Sequence, residues 1–191
     1  MAGLLNRETL SPLPLRSSSV WADIRGFVAR TTATLTYYND HRIEIEGIFV
    51  LPLNFASQVV EFEANIEGRY VFVDIATEQD AERKIAIFDN GVRNDDIFSK
   101  SIGKLAPWIL IDIQVTVVSE MTWVSDKSGL VFSLPSSFTP RIVSDASKKD
   151  DNENKDVSTR SLFSFPATST LGYSLRIEID IEAPCLLAGV T

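Results

Sequence analysis

Apolar and polar residues alternate along most of the chain, which is the period of β-strands that bury one face. The most regular example is YSLRIEIDIEAP, close to the C-terminal end of the sequence. Alternation of this regularity predicts a half-buried strand in an antiparallel sheet. The residues predicted to face inward are Tyr173, Leu175, Ile177, Ile179 and Ile181.

The same alternation recurs in several other stretches and predicts further strands. WILIDIQVTVV, TATLTYYN and RIEIEGIF are the clearest of them, while GRYVFVDIAT and GLVFSLP are shorter. VWADIRGFVART is interpreted as one strand interrupted at Gly26. The residues predicted to face inward are Ile109, Ile111, Ile113, Val115 and Val117 in the first stretch, Ala33, Leu35 and Tyr37 in the second, and Ile43 and Ile45 in the third.

Turn-forming residues separate these strands. NDHR (39–42) predicts a short hairpin loop, and SDKSG (125–129) predicts another. NIEGR (65–69) predicts a third hairpin in which Gly68 is free to adopt a positive φ. Seven or more short strands separated by such turns are typical of a β-sandwich.

Two segments depart from the alternating pattern. In TEQDAERKIAIFDNG, Ala81, Ile85 and Phe88 are spaced as on one face of a helix, which predicts a short α-helix over about 78–90 that packs on a sheet or a sandwich end. VSDASKKDDNENKDVSTR (143–160) is almost devoid of apolar residues and predicts a disordered polar loop. The predicted fold is mainly β: an antiparallel β-sandwich with one short peripheral α-helix.

Composition limits the classes of partner. The 191 residues carry a formal charge of −8, so the chain repels phosphate, which disfavours nucleic acid and anionic membranes. No apolar run reaches the length of a membrane-spanning helix, and membrane insertion is not expected. Cys185 is the single cysteine, which excludes an intrachain disulfide and suits a reducing compartment. With no secretory signal at the N-terminus, the expected location is the cytoplasm.

Acidic pairs are the first candidates for catalysis. Glu61 and Glu63 lie two residues apart in VVEFEANI, so they share one face of a strand. A carboxylate pair does acid–base chemistry when its environment separates the two pKa values, which a solvent-facing strand does not do. We therefore interpret both as solvent-facing, and the same holds for the acids of the other strands. The residues predicted to face inward on this strand are Val60, Phe62, Ala64 and Ile66, and the other solvent-facing acids are Glu44, Glu46, Glu178, Asp180 and Glu182.

Nucleophilic catalysis finds little support in the sequence. His41 is the single histidine, it lies in a predicted loop, and Cys185 is distant from it in sequence. No G-x-S-x-G motif, P-loop or G-x-G-x-x-G motif is present. We assign no catalytic and no cofactor-binding residue.

Two segments match the first positions of metal-binding motifs but not the later ones. Asp150, Asn152 and Asn154 match the start of a calcium loop, but Lys155 replaces the required glycine and Ser161 the bidentate glutamate. DASKK (145–149) begins like D-x-S-x-S, the metal motif of von Willebrand A domains, but ends in lysine. We assign no metal site and expect no cofactor.

An ordered set of motifs resembles the VIT (vault protein inter-alpha-trypsin) domain over about 11–183. The set comprises PLPLRSSSV, TYYN, IFVLPL, VVEFEA and GR in the first part of the chain, then GKLAPW and LPSSFTPRI. The sequence departs from the family pattern at Leu51 and Ile142, and Ile85 and Phe88 replace the usual residues of the helix. The matching residues are Pro14, Leu15, Ser17, Val20, Tyr37 or Tyr38, Asn39, Phe49, Pro52, Leu53, Val59, Phe62, Glu63, Ala64, Gly68 and Arg69.

The resemblance is greatest to the von Willebrand factor A domain-containing protein 5 group, in which a VIT domain precedes an A domain. It implies an N-terminal arm (1–10), a VIT-like sandwich domain (11–183) and a C-terminal tail (184–191) directed toward an A domain that this sequence lacks. The metal-dependent adhesion site of the A domain is therefore not expected here.

The expected function is a non-catalytic protein-interaction or scaffold module that is not an enzyme. Its binding residues are unknown, and 173–191 is the favoured docking edge because an unpaired strand can be extended by a partner strand. The partner is a protein, with a von Willebrand A domain as one possibility. The alternatives are a structural subunit of a larger assembly and, least favoured, a hydrolase that uses clustered surface carboxylates.

Overall fold

The computed structural model describes residues 3–53, 56–73, 97–123, 129–135, 137–139 and 172–182. This part of the chain is built from strands and contains no helix. The strands are β1 (Gly3–Asn6), β2 (Leu15–Arg25), β3 (Val28–Tyr38), β4 (Ile45–Pro52), β5 (Ser57–Ile66), β6 (Arg69–Val73), β7 (Ile97–Leu105), β8 (Leu110–Glu120), β9 (Thr122–Trp123), β10 (Leu130–Val131) and β11 (Ser174–Glu182).

The strands form two main sheets that pack face to face. The larger sheet has the strand order β11-β2-β3-β8-β5-β6, and the smaller has the order β1-β4-β7. Strands β9 and β10 form a separate antiparallel pair. One continuous core joins the two sheets: the ring of Phe62 on β5 lies 5.5 Å from that of Phe49 on β4 and 5.4 Å from that of Phe98 on β7. The predicted β-sandwich is confirmed.

The alternating pattern places most core residues correctly. On β3 and β8 the predicted inward residues are buried and the residues between them face outward. On β5 a register shift between Val59 and Glu61 moves the pattern by one position. Val59 is therefore buried in place of the predicted Val60, while Phe62, Ala64 and Ile66 are buried as predicted.

Strand β4 is buried on both faces. Phe49 and Leu51 face the main core, whereas Ile48 and Val50 form a second cluster with Leu5 on the opposite side of the small sheet. Burial on both sides explains why IFVL reads as a continuous apolar run where the other strands alternate.

Two sequence predictions about chain reversals are wrong, and the predicted inward orientation of Ile43 fails with the second. VWADIRGFVART is not one interrupted strand: β2 and β3 are separate antiparallel strands, because Gly26 takes a φ of 61° and reverses the chain. NDHR (39–42) is not a hairpin loop, because β3 and β4 belong to different sheets. Ile43 therefore lies in the crossing between the sheets, 70% exposed, and β4 begins at Ile45.

Asn39 fixes this crossing. Its side chain is fully buried, and its Nδ2 donates to the carbonyl oxygens of Leu105 (3.2 Å) and Ala106 (2.7 Å). Its Oδ1 accepts from the backbone N–H of His41 at 3.1 Å. One amide side chain thus joins the end of β3 to the connection between β7 and β8.

The hairpin at 65–69 is confirmed. Ile66 pairs with Arg69, so Glu67 and Gly68 form a two-residue turn, with φ values of 51° and 86°. Positive φ at both central positions is the pattern of a type I′ turn, which matches the twist of the flanking strands.

Arg69 then joins the two sheets. Its Nη1 donates to the carbonyl of Ile102 at 3.1 Å, and its Nη2 donates to that of Lys104 at 3.0 Å. Both carbonyls belong to β7, at the edge of the small sheet, so the Gly-Arg pair of the sequence pattern fastens one sheet to the other.

Several predictions fall outside the described residues. They are the helix at about 78–90, the disordered loop at 143–160 and the C-terminal tail at 184–191. Residues 125–128 of the turn SDKSG also lie outside, although the strands that flank this turn pair as a hairpin would require, with Trp123 opposite Leu130.

The prediction for the last strand is wrong in two respects. β11 pairs with β2 in parallel, and all nine of its residues are exposed. Apolar and polar residues do alternate along β11, but neither side of the strand is buried. β11 lies at the edge of the larger sheet, and the smaller sheet does not cover it.

Candidate protein-docking surface

Strand β11 forms one edge of the six-stranded sheet. It pairs with β2 over nine consecutive positions, from Ser174 opposite Ser17 to Glu182 opposite Arg25, without a register shift. In the part of the sheet that the structure describes, β2 is its single neighbour. The other edge of β11 therefore presents backbone N–H and C=O groups on which a further strand could pair.

An apolar row follows the core-facing side of β11. Paired residues of neighbouring strands share a face of the sheet, and the β2 partners of this row include Val20, Ala22 and Ile24, all buried. The row itself is not covered, so the apolar face of the sheet continues past the smaller sheet into solvent. The exposed fractions are 40% for Leu175, 41% for Ile177, 46% for Ile179 and 38% for Ile181.

A charged row follows the other side of β11. It consists of Arg176, Glu178, Asp180 and Glu182, so one cation against three anions gives a net charge of −2. Arg176 pairs with Glu178 on the same strand. The row therefore has no cation left to balance Asp180 and Glu182 from within β11.

Neighbouring residues of β2 hold this acidic row in place. Trp21 donates from Nε1 to Asp180 Oδ2 at 2.9 Å, and Arg25 Nη1 lies 3.3 Å from Glu182 Oε2. The pKa of Arg25 is raised by its hydrogen bond to Asp23 and by the negative charges of Asp23 and Glu182. Arg25 is shared between Asp23 and Glu182, so it neutralises only part of the negative charge of the acidic row.

The other described sheet edges are shorter or interrupted. β1 has four residues and β6 has five. β7 is as long as β11, but it contains Lys100, Lys104 and Gly103, and its pairing with β4 shifts register. Lysines, glycines and bulges are devices that protect an edge from pairing with another chain. β11 has no lysine, glycine or proline and no register shift, so it is the longest described edge that pairs without interruption, and charged side chains are the one protective device that it carries.

The acids of VVEFEANI lie on the outer face of the large sheet, as their alternation predicts. Glu61 is exposed and accepts from Arg30 Nη2 at 2.7 Å and from Thr116 Oγ1 at 3.1 Å. Glu63 is partly exposed. Both carboxylates therefore lie at the surface of the sheet, and neither is enclosed in an apolar pocket.

The other acids predicted to face solvent also lie at the surface. Glu44 is 2.8 Å from Lys104 Nζ, and Glu46 is 3.4 Å from Arg7 Nη1. Ion pairs of this exposure contribute little to stability. Glu178, Asp180 and Glu182 form the acidic row of β11 described above, so these carboxylates are distributed over both sheets and not gathered in one site.

His41 belongs to the crossing between the sheets. Its Nδ1 lies 3.1 Å from Asn39 Oδ1 and 3.4 Å from Asp40 Oδ1. These contacts continue the Asn39 hydrogen bonds and include neither a hydroxyl nor a thiol. Cys185 and the failed metal motifs at 145–149 and 150–161 lie outside the described residues.

Metal and membrane signals are absent from the residues that the structure describes. These ranges contain no group of three or more His, Cys, Asp or Glu side chains that could hold a metal ion. Within them, no helix is long and apolar enough to cross a membrane.

Among the described residues, two surface aromatic clusters that join separate segments of the chain were not predicted from the sequence. The rings of Phe27 and Trp123 lie 5.8 Å apart, and those of Tyr38 and Trp108 lie 6.4 Å apart, with the Arg16 guanidinium 5.0 Å from the Tyr38 ring centre. The one local signal was that Trp108 follows a proline in a turn, where it adopts a φ of 65°. Pairing across strands, which brings the rings together, is not visible in the local sequence.

Comparison with known protein families agrees with the resemblance. Residues 2–79 match the family described as the vault protein inter-alpha-trypsin domain. This range covers β1 to β6, and therefore includes the Asn39 crossing and the Gly-Arg hairpin.

Curated proteins supply longer matches. The human von Willebrand factor A domain-containing protein 5A is 31% identical over 156 residues, which are 76% of this chain and 19% of that protein. The mouse 5B1 protein is 28% identical over an alignment of 230 positions that covers all of this chain and 19% of that protein. Mouse protein mono-ADP-ribosyltransferase PARP4 is 26% identical over 144 residues, which are 7% of its length. The chain thus spans about one fifth of the length of the first two relatives.

Proposed function

The chain belongs to the vault protein inter-alpha-trypsin domain family, and from this premise we propose that it is a non-catalytic protein-interaction module that binds its partner through β11. The observation that carries the proposal is the exposure of all nine β11 residues on a strand with an apolar row. A strand of this kind offers backbone hydrogen bonds and apolar contact area to a partner at the same time.

Apolar exposure at β11 is concentrated and not scattered. Four neighbouring aliphatic side chains lie in one row, each more than one third exposed, beside the buried Val20, Ala22 and Ile24 of β2. Single exposed apolar residues are ordinary, whereas a continuous apolar strip next to a core marks an interaction surface. An occupant of the strip would extend the core that the two sheets already share.

The partner we propose is a von Willebrand A domain. The support is the names of two curated relatives, which are von Willebrand factor A domain-containing proteins several times longer than this chain. β11 is the last described strand, and Gly26 N–H donates to the carbonyl of Glu182 at 3.2 Å, so the end of β11 is tied to the β2–β3 turn. A domain that follows β11, or that binds in trans, would meet the apolar row there.

The proposal includes no catalytic role. The carboxylates that an acid–base mechanism would require are spread over the outer faces of the sheets, and His41 contacts Asn39 and Asp40. The similarity to an ADP-ribosyltransferase covers 7% of that protein, so its named activity is not carried to this chain. We further propose a cytoplasmic location, which the presence of a single cysteine supports.

Binding to a purified A domain tests this proposal. The probe is the A domain of the human 5A relative, titrated into the full chain by calorimetry. We expect the double substitution I177K/I179K to abolish binding, because it places two charges in the apolar row. The matched control is Y70K/F72K on β6, at the opposite edge of the same sheet, where both rings are also exposed.

A photo-crosslinker at Ile179 gives an independent readout. It should attach to the A domain, while the same group at Phe72 should not. The proposal fails if the A domain does not bind, or if I177K/I179K binds as tightly as the unmodified chain while its unfolding transition is unchanged.

A further inference from the structure

We propose that the occupant of β11 is an extended segment in which apolar residues alternate with lysine or arginine, added to the sheet as one more strand. This inference rests on the proposed function, because it concerns the same edge and adds the chemistry of what binds there.

The two faces of β11 set the pattern of the occupant. An added strand continues the pleat of the sheet, so its side chains alternate between the side of Ile177 and Ile179 and the side of Glu178 and Asp180. The first side is apolar and exposed, and it favours Val, Ile or Leu. The second side is acidic, and it favours a cation at every second position.

The charges of β11 determine the sign of the partner. Arg176 is engaged by Glu178, and Arg25 is shared between Asp23 and Glu182. Asp180 accepts one hydrogen bond from Trp21, which is neutral. A carboxylate has acceptor sites for several donors, so Asp180 and Glu182 retain capacity for a lysine or arginine on an adjacent strand.

A second copy of this chain is a poor occupant for the same reason. Two β11 edges together bring two rows of charge −2 side by side, and each whole chain carries −8. Like charges directly opposite one another across strands are destabilising. The acidic row therefore acts against self-pairing and favours a basic strand at the edge that the described part of the sheet leaves unpaired.

A peptide of defined pattern tests the inference. The probe is a fluorescein-labelled nine-residue peptide of alternating Lys and Val, titrated with the full chain and followed by anisotropy. Two control peptides are used. The first has the same composition without alternation, five Lys followed by four Val, and the second keeps the alternation but has Glu in place of Lys. We expect both controls to bind at least about tenfold more weakly, since the first loses alternation and the second loses charge complementarity.

Variants of the chain test the acidic row directly. E178Q/D180N/E182Q removes three negative charges, and the amide oxygen introduced by D180N can still accept the hydrogen bond from Trp21. The control E8Q/E44Q/E63Q removes the same charge from other surfaces. We expect about tenfold weaker binding of the alternating Lys–Val peptide to the first variant, and little change with the control.

Blocking the backbone hydrogen bonds of the peptide distinguishes its addition to the sheet as a strand from binding by charge attraction alone. An alternating Lys–Val peptide with N-methyl groups on every second residue keeps its charge but loses half of its N–H donors, and it should not bind. Hydrogen exchange should slow at β11 amides when the unmodified peptide is bound. Equal binding of the N-methylated peptide, or of both variants, would overturn the inference.

The two proposals fail in different ways. If the A domain binds through β11 and the Lys–Val peptide does not, the stated chemistry is wrong and the docking edge stands. If the peptide binds at β11 and the A domain does not, the proposed partner is wrong and the chemistry stands. Sedimentation that shows a β11-dependent dimer of the chain would contradict a basic occupant.

Discussion

At the scale of single residues, the positions that identify the family in this chain are those that hold the fold. Asn39 ties β3 to the β7–β8 connection, Phe49 and Phe62 pack across the two sheets, and Arg69 binds carbonyls of β7. Ser18 donates from Oγ to the carbonyl of the buried Phe138 at 2.7 Å, which holds Phe138 against the sheet. Glu63, the one acid in the pattern, lies on the outer face. The motif is therefore a folding signature and contains no assembled reaction site.

Tyr37 makes the folded state sensitive to alkali. Its burial raises its pKa above the ordinary value near 10, and a hydrogen bond to the backbone of Leu4 opposes this only in part. Because the pKa is higher in the folded state, the stabilisation is complete below pH 10 and is lost as the pH rises above it. At most one proton is involved, so the free energy of unfolding should fall by up to about 1.4 kcal/mol per pH unit.

Urea unfolding between pH 8 and pH 11 checks this prediction. The variant Y37F has no phenol to ionise, so its stability should fall less steeply above pH 10 than that of the unmodified chain. Parallel pH curves for the two proteins would show that Tyr37 is not the source of alkaline lability.

At the scale of elements, strand existence follows from alternation, whereas strand pairing does not. β3, β8 and β11 alternate with similar regularity, yet β3 and β8 lie inside the large sheet and β11 lies at its edge. NDHR has the composition of a hairpin loop and instead connects two sheets. NIEGR forms the predicted hairpin because its two central residues take the positive φ values that the tight turn requires.

The β5–β6 turn offers a simple gain of stability. Glu67 has a φ of 51°, in the left-handed region of backbone conformation. This region is unfavourable for most residues other than glycine, but less so for asparagine. We expect E67N to raise the free energy of unfolding by about 0.5 kcal/mol. We expect G68A to lower it by about 1 kcal/mol, because Gly68 has a φ of 86°. Thermal unfolding of both variants measures the difference, and equal midpoints would refute the assignment of strain to this turn.

At the scale of the whole molecule, two sheets of unequal width account for both the core and the exposed apolar row that we propose as the docking surface. The smaller sheet has three strands and the larger has six, so part of the larger sheet extends beyond its cover. The apolar row of β11 lies on that extension. The smaller sheet thus covers part of the larger sheet and forms the core with it, while the uncovered edge at β11 keeps its apolar surface exposed.

The contribution of Arg69 to stability can be compared with that of Arg30, because Arg69 links the two sheets and Arg30 forms an ordinary surface ion pair. Arg69 donates to two carbonyls of the opposite sheet, whereas Arg30 pairs with Glu61 within one sheet, where both side chains are well exposed. We expect R69A to lower the free energy of unfolding by about 1–3 kcal/mol, and R30A to lower it by less than about 1 kcal/mol. Chemical denaturation of the two variants makes the comparison, and a larger loss in R30A would contradict the role given to Arg69.

The sequence by itself determined the class of fold, the family and most of the buried residues, because alternation, turn residues and motif order are local properties of the chain. The tertiary structure decided what is long-range. It turned VWADIRGFVART into two strands, placed 39–42 between sheets, and set β11 parallel to β2. It also decided that Ile177 and Ile179 are exposed while Ile111 and Ile113, in the same kind of pattern, are buried. Periodicity fixes the direction of a side chain relative to its strand, and only the packing of whole sheets decides whether anything lies on that side.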